Sequence, residues 1–265
     1  MEQVFELNFS NGHQAKTVRI QRSTDLPAIL HWLGLSVARP TLVLVGGASG
    51  MGKAALEQVR ALFQEVLVPV AEATSAAVVD GGTDAGVMQL VGEARSQAPA
   101  TFPLVGVAAT GTVILPQAIF PDLPPSAEGA PLEPNHTHFV LVPGAIWGDE
   151  SPWIARVASA IAGPLPSFTL LVNGGKIAWQ DVSNSVRSHR PVLVVAGSGR
   201  TADELAAAIR GDRSNDRAVR LVNTGLLHLV ELHQSIEHLT QQMTCILTTR
   251  PTAHTLTSEE QKLVF

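Results

Sequence analysis

Short apolar runs, each ending in glycine and followed by a helix-like stretch, recur along this chain. TLVLV precedes Gly46-Gly47 and AALEQVRALFQEVLV, and AAVVD precedes Gly81-Gly82 and AGVMQLVGEARSQ. FTLLVN precedes Gly174-Gly175, and PVLVVA precedes Gly197-Ser198-Gly199 and TADELAAAIRG. Runs that are apolar throughout are typical of parallel strands buried on both faces. Their alternation with helical patterns predicts an α/β fold: a doubly wound, mostly parallel sheet with helices on both faces.

The rest of the chain predicts one domain over residues 1–245. Asn11-Gly12 separates VFELNF from KTVRIQ, which indicates an N-terminal hairpin. A helix at 24–35 follows the hairpin and completes an N-terminal segment, 1–37. The core, 38–210, also contains the strands PLVGVAA and HFVLVP and a loop at 116–134. A C-terminal segment, 211–245, has a predicted strand at 218–223 and a predicted helix at 226–243, and residues 246–265 form a tail.

Composition narrows the function classes. The 265 residues are 45% hydrophobic and carry a net charge of −5, so a nucleic-acid coat protein is disfavoured. We expect neither a membrane span nor a signal peptide, since no apolar run is long enough and Glu2 follows the first residue. The single cysteine, Cys245, fits the cytoplasm. No histidine or cysteine cluster has metal-ligand spacing, so no metal is expected.

The glycine turns predict an anion site. Turns that follow parallel strands meet at one edge of the sheet, where helix N-termini offer free N–H groups to phosphate. Taken singly, each glycine pair is explained by a tight turn alone. The predicted ligand-binding residues in these turns are Gly46, Gly47, Ala48, Ser49, Gly50, Met51, Gly81, Gly82, Thr83, Asn173, Gly174, Gly175, Gly197, Ser198, Gly199 and Arg200.

A phosphate-binding P-loop is a competing interpretation of one turn. Residues 47–53 read GASGMGK between a strand and a helix. The run AAVVD, which ends at Asp80, resembles the strand whose final aspartate supports Mg²⁺ in P-loop proteins. However, Ala54 stands where the motif needs a Ser or Thr hydroxyl as a Mg²⁺ ligand. A P-loop NTPase therefore ranks third among the functions considered, and Lys53 is expected to be a solvated lysine.

Five segments resemble the SLOG domain of melastatin-type TRP channels. They are VGGASGM, DGGTDAGVMQLVGEA, LVGVAATGTV, LEPNHTHFVLV and VLVVAGSGRTADELA, within residues 38–210. The resemblance implies a Rossmann-like domain that binds a nucleotide-derived ligand such as ADP-ribose and acts as a sensor or regulatory module. It adds Thr110 and Gly111 to the site, and two ligand-binding arginines fall on Arg156 and Arg200. It implies no resident cofactor, and no pore segment is present. A homo-oligomer through the C-terminal helix is left open.

A related branch, the LOG phosphoribohydrolases, supplies the alternative function. Their signature PGGxGTxxE resembles residues 173–181, which read NGGKIAWQD. The two glycines are kept, whereas Ile177 and Ala178 replace Gly and Thr, and Asp181 replaces the catalytic Glu. A nucleotide or ADP-ribose hydrolase is therefore the second candidate, with Asp181 as a weak catalytic candidate. A carboxylate on the helix surface is the plainer interpretation of Asp181.

Further expectations concern single residues around these motifs. Thr201 and Glu204 have capping-box spacing, and Ser151-Pro152 is typical of a helix start. His136 and His138 are expected on one face of a strand, in structural hydrogen bonds rather than as metal ligands. Trp147 and Trp153 are core residues or, for one of them, a stacking surface for a base. Arg187, His189 and Arg190 form a small basic cluster before a predicted strand. We expect them to lie in a solvated loop, and the alternative is that they contact a phosphate.

Overall fold

The computed structural model describes residues 4–20, 26–123 and 128–249. Their strands are β1 (Val4–Asn8), β2 (Gln14–Arg19), β3 (Thr41–Gly46), β4 (Ala77–Asp80), β5 (Leu104–Ala109), β6 (His138–Val142), β7 (Ser167–Val172), β8 (Val192–Ala196) and β9 (Leu227–Glu231). They form one sheet in the order β1-β2-β6-β5-β4-β3-β7-β8-β9. Only the β1–β2 pair is antiparallel among these described strands, which confirms the mostly parallel sheet.

Helices cover both faces of the sheet. They are α1 (Leu26–Leu33), α2 (Lys53–Ala61), α3 (Val68–Ala73), α4 (Gly86–Ser96), α5 (Ser151–Ala162), α6 (Ala178–Arg187), α7 (Arg200–Ile209), α8 (Asp216–Val222) and α9 (Ile236–Thr248), with a π-helical segment, Leu62–Leu67, joining α2 to α3. Alternate residues of each strand face opposite layers. Val43 and Val45 of β3 pack towards α1 and α5 to α8, whereas Leu42 and Leu44 pack towards α2, α3, α4 and α9.

The direction in which the chain winds reverses between β3 and β7. From β3 the chain adds β4, β5 and β6 on one side, and then returns to add β7, β8 and β9 on the other. Gly46 ends β3 so close to β7 that a Cβ there would lie 1.9 Å from the Val172 carbonyl oxygen. In doubly wound sheets, ligands bind at the carboxyl ends of the strands beside this reversal.

The N-terminal hairpin forms as predicted and belongs to the main sheet. Gly12 turns the chain with φ +84°, and β2 extends the sheet by pairing in parallel with β6. The predicted helix at 24–35 corresponds to α1, although Thr24 lies outside the described residues. Residues 116–123 and 128–134 are irregular, as predicted for the loop, and Phe120 anchors them in the core. Four residues of that loop, 124–127, are outside the described set.

The predicted C-terminal helix is present with other bounds, whereas the predicted C-terminal strand is wrong. Residues 218–223 belong mostly to helix α8 rather than a strand, because the Asn215 side chain caps the helix and Ala218 and Leu221 pack into the core. The predicted helix at 226–243 is split into strand β9 and helix α9. Segment 227–231 lies beside β8, where backbone pairing outweighs the helical spacing of its apolar residues. Helix α9 continues to Thr248, three residues into the predicted tail, and 250–265 lie outside the described residues.

Candidate functional site

A cavity of about 260 Å³ lies at the carboxyl ends of β3 and β4, beside the winding reversal. Its walls come from β3, from the turns after β4, β5 and β7, and from the starts of α5 and α6. Of the predicted site residues, Gly46, Gly81, Thr83 and Gly175 line it. The cavity therefore stands where the doubly wound topology predicts a ligand, and the glycine turns form its rim.

Three of the four glycine turns meet at the Ser49 carbonyl oxygen. The Asn173 side-chain amide donates to it over 3.3 Å, and Nη1 of Arg200 lies 3.5 Å from it. The Arg200 side chain passes between two glycines: its Cδ is 3.9 Å from a Cβ built on Gly50, and its Nη2 is 3.1 Å from one on Gly175. The structure thus brings the turns after β3, β7 and β8 together around one guanidinium.

The fourth turn, after β4, reaches the same place through Gly86. A Cβ built on Gly86 would lie 3.2 Å from the amide nitrogen of Ala48 and 3.3 Å from the Gly47 Cα. The amides of Ser49 and Gly50 make no hydrogen bond within the described part of the chain. Free donors next to an arginine provide the chemistry that an anion needs.

Asn173 and Ser198 act as supports behind this surface. Asn173 is buried and adopts a left-handed backbone with φ +57°. Its backbone N–H donates a hydrogen bond to the Ser198 hydroxyl over 2.7 Å. The hydroxyl in turn donates to the Val195 carbonyl. These contacts link the turn after β7 to the turn after β8, so both residues support the site without lining the cavity.

The predicted capping box at the start of α7 is wrong. The Thr201 hydroxyl donates to the Gly175 carbonyl of the neighbouring turn over 3.1 Å, and the Glu204 carboxylate accepts from Asn215. Gly199, with φ +104°, occupies the N-cap position. The hydroxyl therefore joins the start of α7 to the turn after β7 instead of capping its own helix.

The family described as "SLOG in TRPM, prokaryote" matches residues 39–241. The chain belongs to this family. The match confirms the resemblance and extends it past residue 210, through α8 and β9 into α9. Within the described residues no helix has the length and apolar character that a membrane crossing requires.

Three channel proteins illustrate this similarity. Mouse transient receptor potential cation channel subfamily M member 2 is 29% identical over 227 residues, covering 72% of this chain and 15% of the channel. The subfamily M member-like 2 protein of Nematostella vectensis is 27% identical over 261 residues, 84% of this chain and 16% of that protein. Rat subfamily M member 4 is 24% identical over 240 residues, with coverages of 77% and 20%. The chain thus spans at most a fifth of the length of each of these relatives.

In this SLOG domain, a buried charged triad joins the runs DGGT and LEPNH. The His136 ring lies with Nε2 2.9 Å from Asp80 Oδ1 and Nδ1 2.7 Å from Glu133 Oε2. Burial by itself lowers the pKa of His136, but attraction to Asp80 and hydrogen bonds to both carboxylates raise it to about 9. The ring is therefore an imidazolium at neutral pH. Asp80 Oδ1 also accepts the Gly82 amide over 2.7 Å, so the triad holds the turn that lines the cavity.

The two histidines do not share a face as predicted, although both make structural hydrogen bonds. His136 precedes β6, whereas His138 begins it and has its Nε2 3.1 Å from the Leu33 carbonyl oxygen. Asp80 belongs to the triad, which gives it a structural role in place of the Mg²⁺-supporting role of a P-loop aspartate. Lys53 is exposed at the start of α2 and is not part of the cavity wall.

The loop before α5 carries Trp147 to the cavity. Asp149 accepts the amides of Ala145 and Ile146, and Glu150 accepts that of Gly148, so two carboxylates shape the loop. Trp147 lines the cavity with 45% of its surface exposed. It therefore retains the predicted option of stacking on a base, whereas Trp153 packs against the core.

Thr110 and Gly111 lie beside this loop rather than in the cavity wall. The Thr110 amide donates to the Val142 carbonyl and the Gly111 amide to the Gly144 carbonyl. A Cβ on Gly111 would come within 2.7 Å of the Gly144 oxygen, so glycine permits the close approach of the loop. Gly47 to Met51, Gly82, Gly174 and the β8 turn are likewise outside the cavity lining.

Two neighbouring carboxylates line the cavity. Asp181 lines it from α6 and Glu150 from the start of α5. Burial raises the pKa of Asp181 to about 7; a Ser151 hydrogen bond opposes that rise and the charge of Glu150 adds to it. Burial also raises the pKa of Glu150. The expectation of a helix-surface Asp181 is wrong: the residue is half-buried, faces the cavity between α5 and α6, and has its Oδ1 atom buried.

Several wall residues were not predicted, namely Thr112, Glu150, Lys176, Ile177 and Ala178. Lys176 and Ile177 directly follow Gly174-Gly175, so extending that motif by two residues finds them. Glu150 is the N-cap residue of α5, where Ser151 had been expected; Ser151 instead begins the helix. No local pattern identifies Glu150, because its position depends on where α5 meets the sheet.

The structure places the remaining predicted residues away from the cavity. Arg156 is exposed on α5, with its guanidinium carbon 4.3 Å from the centre of the Trp153 ring. The interpretation of Arg190 as part of a solvated or phosphate-binding loop is wrong. It is 1% exposed at the opposite, amino-terminal edge of the sheet, donates to the Ala155 carbonyl and the hydroxyls of Ser159 and Ser167, and has its pKa lowered by burial to about 10.

Proposed function

We propose that this SLOG domain is a ligand-binding regulatory module for a nucleotide-derived molecule of the ADP-ribose type. The observation that carries the proposal is the convergence of the glycine turns on Arg200. Its guanidinium lies beside the Ser49 carbonyl and against Gly175, at the starts of three helices. Phosphate oxygens are the groups that helix N-termini, free amides and an arginine fork bind together.

Local charge supports the same assignment. The whole chain is net acidic, at −5, so an anion needs a localised positive field to approach. Arg200 and Lys176, both exposed at the rim, provide it. Trp147 offers an aromatic surface on which a base stacks. The cytoplasmic location expected from the single cysteine agrees with such a ligand.

A nucleotide or ADP-ribose hydrolase is the second candidate, favoured by one observation. Asp181 is a buried carboxyl group whose pKa, about 7, suits general acid–base work. Against it, Ile177 and Ala178 replace the glycine and threonine of the hydrolase signature. We expect no release of ribose 5-phosphate from AMP. A P-loop NTPase remains third, since Ala54 supplies no metal-binding hydroxyl.

A ligand panel tests the proposal. Thermal unfolding and calorimetry are followed with ADP-ribose, cyclic ADP-ribose, NAD, AMP and ATP, and each mixture is then chromatographed for products. We expect at least one compound to bind without turnover and to stabilise the fold by about 2.7 kcal/mol at one hundred times its Kd. Steady turnover that disappears in Asp181→Asn supports the hydrolase. Failure of every compound to bind a folded protein refutes both.

The partner proposed is this small molecule, with no resident cofactor. A homo-oligomer through α9 stays a prediction, and light scattering on the purified chain measures it. Channel activity belongs to the relatives, of which this chain matches one segment.

A further inference from the structure

Charged residues of both signs belong to this site. Lys176 lines the cavity, and Arg200 lies against Gly175, which also lines it. Glu150 and Asp181 line it as well, as do the apolar residues Ile154 and Ile177. A phosphate is attracted to the basic pair and repelled by the acidic pair, so a phosphorylated ligand has a favoured orientation.

The pair formed by Glu150 and Asp181 includes an unused acceptor. Asp181 Oδ1 is buried and has no hydrogen-bond partner among the described residues. Ser151 is the hydrogen-bond partner that the Asp181 carboxyl does have. Glu150 is 8% exposed, and its carboxylate accepts the backbone amide of Gly148. A buried acceptor left without a donor costs free energy, and a ligand that supplies the donor recovers it.

We propose that Glu150 and Asp181 form a subsite for the vicinal hydroxyls of a pentose, whose phosphate rests on the glycine turns. This inference rests on the proposed function and names which part of the ligand enters the cavity. Hydroxyl groups suit these two carboxyl groups because a hydroxyl can both donate and accept a hydrogen bond. They therefore match two close carboxyl groups, of which burial keeps one partly protonated near neutral pH. A ligand ammonium group would bind less well at neutral pH, because its full attraction requires that Glu150 and Asp181 are both ionised.

The size of the cavity agrees with a sugar. At about 260 Å³ it lies below the range of roughly 300–1,000 Å³ that encloses whole drug-sized ligands. One pentose fits, while the remainder of a dinucleotide-like ligand lies along the rim turns. Glu150 and Asp181 also select against a second phosphate on that pentose, because the two carboxylates repel it.

Ligand-observed NMR titrations test the subsite with ribose 5-phosphate, 2-deoxyribose 5-phosphate and inorganic phosphate. We expect the parent to bind ribose 5-phosphate roughly tenfold or more tightly than the deoxy sugar, as for loss of a hydrogen bond to a charged group. Asp181→Asn and Asp181→Ala should reduce that preference to about threefold or less and leave phosphate affinity nearly unchanged. Glu237→Gln, an exposed carboxylate on α9, is the matched control and keeps the preference.

Three results overturn the subsite. They are equal binding of the two sugar phosphates by the parent, an unchanged preference in both Asp181 variants, and tighter binding of phosphoethanolamine than of ribose 5-phosphate. ADP-ribose is titrated in the same buffer to separate the two proposals. If it binds and the sugar hydroxyls make no difference, the subsite alone is wrong. If neither it nor any of the phosphates binds, the proposed function fails and the subsite fails with it.

Discussion

Arg200 has an unusual backbone at the first position of α7. Its φ of +49° lies in the left-handed region, which is unfavourable for a residue with a side chain. The strain turns the guanidinium back over Gly50 and towards Gly175 instead of out along the helix. A strained residue held against a glycine surface is a common feature of binding sites.

We expect Arg200→Ala to weaken ADP-ribose binding by about one to two orders of magnitude, because a charge-assisted hydrogen bond of about 1.5–3 kcal/mol is lost. Arg200→Lys should recover part of the loss, since an ammonium lacks the planar fork. Calorimetry measures the affinity of both variants. The control is Arg220→Ala, which removes an exposed arginine of α8. The melting temperature of the ligand-free protein should hardly change. An affinity equal to that of the parent would place the phosphates elsewhere.

Asp181 makes a second prediction at the scale of one residue. Its pKa rises from 3.8 to about 7 on folding, chiefly through burial, with Glu150 adding to the rise and Ser151 opposing it. A carboxyl group with a raised pKa destabilises the fold increasingly as pH rises from about 4 through 7. Asp181→Asn should therefore raise the free energy of unfolding at pH 8, by at most about 4 kcal/mol, and leave it unchanged below pH 4.

Urea unfolding of parent and variant across this pH range measures the difference. Glu237→Gln serves again as the control, with an expected change of less than about 0.5 kcal/mol. A difference between parent and Asp181→Asn that does not vary with pH would mean that Asp181 is not buried as the structure describes.

At the scale of elements, the contact of β3 with β7 decides where the site opens. Gly46→Ala would bring a methyl group to 1.9 Å from the Val172 carbonyl at a φ of +138°, so the two strand ends must separate. We expect a loss of about 3 kcal/mol or more of unfolding free energy. Gly47→Ala is the matched control, with nothing within 4 Å of its Cβ position. Chemical denaturation should show a loss below about 1 kcal/mol there.

Helix α2 supplies the test of the P-loop alternative. Lys53 is exposed at its first position and lies outside the cavity wall. Lys53→Ala should therefore change nucleotide affinity by less than about threefold, which is well under the 1.5–3 kcal/mol of a bond to a charged group. Calorimetry with ATP and Mg²⁺ measures it. Complete loss of binding, together with Mg²⁺-dependent ATPase activity in the parent, would restore the NTPase interpretation.

For the whole molecule, opposing buried groups shape stability against pH. Burial lowers the pKa of His138 to about 4; the Leu33 hydrogen bond opposes this, while the charges of Lys16, Arg39 and Arg95 add to it. Stability from this histidine is present above its unfolded value of about 6.5 and is lost as pH falls towards 4. Asp181 has the opposite slope over nearly the same range, so the contributions of these two groups nearly cancel there.

We expect His138→Gln to expose the balance. Relative to the parent, the variant should gain up to about 3 kcal/mol in unfolding free energy between pH 7 and pH 4, because glutamine does not titrate. Above pH 6.5 the parent should lose stability as pH rises through about 9, since the raised pKa of His136 makes its charged form part of the fold. Denaturant titrations at pH 4, 7 and 9 test both, and matching slopes for parent and variant would contradict the first.

Much of this architecture is predictable because the signals are local. The apolar runs of β3 to β8 identify the strands, and the glycine turns after β3, β4, β7 and β8 mark the edge of the sheet at which the cavity lies. Residues 216–231 were misassigned because their apolar spacing suits a helix and a strand alike. Only the position of β9 beside β8 and the packing of α8 on the core select one.

The site divides in the same way. The sequence by itself identified the glycine turns and the arginine at the start of α7, since each follows from residues adjacent in the chain. Tertiary structure alone decided that Asp181 and Glu150 share a cavity, that His136 lies between Asp80 and Glu133, and that Arg190 is buried at the far edge. The physical reason is that burial and charge pairing depend on segments distant in sequence, of which a local pattern contains no record.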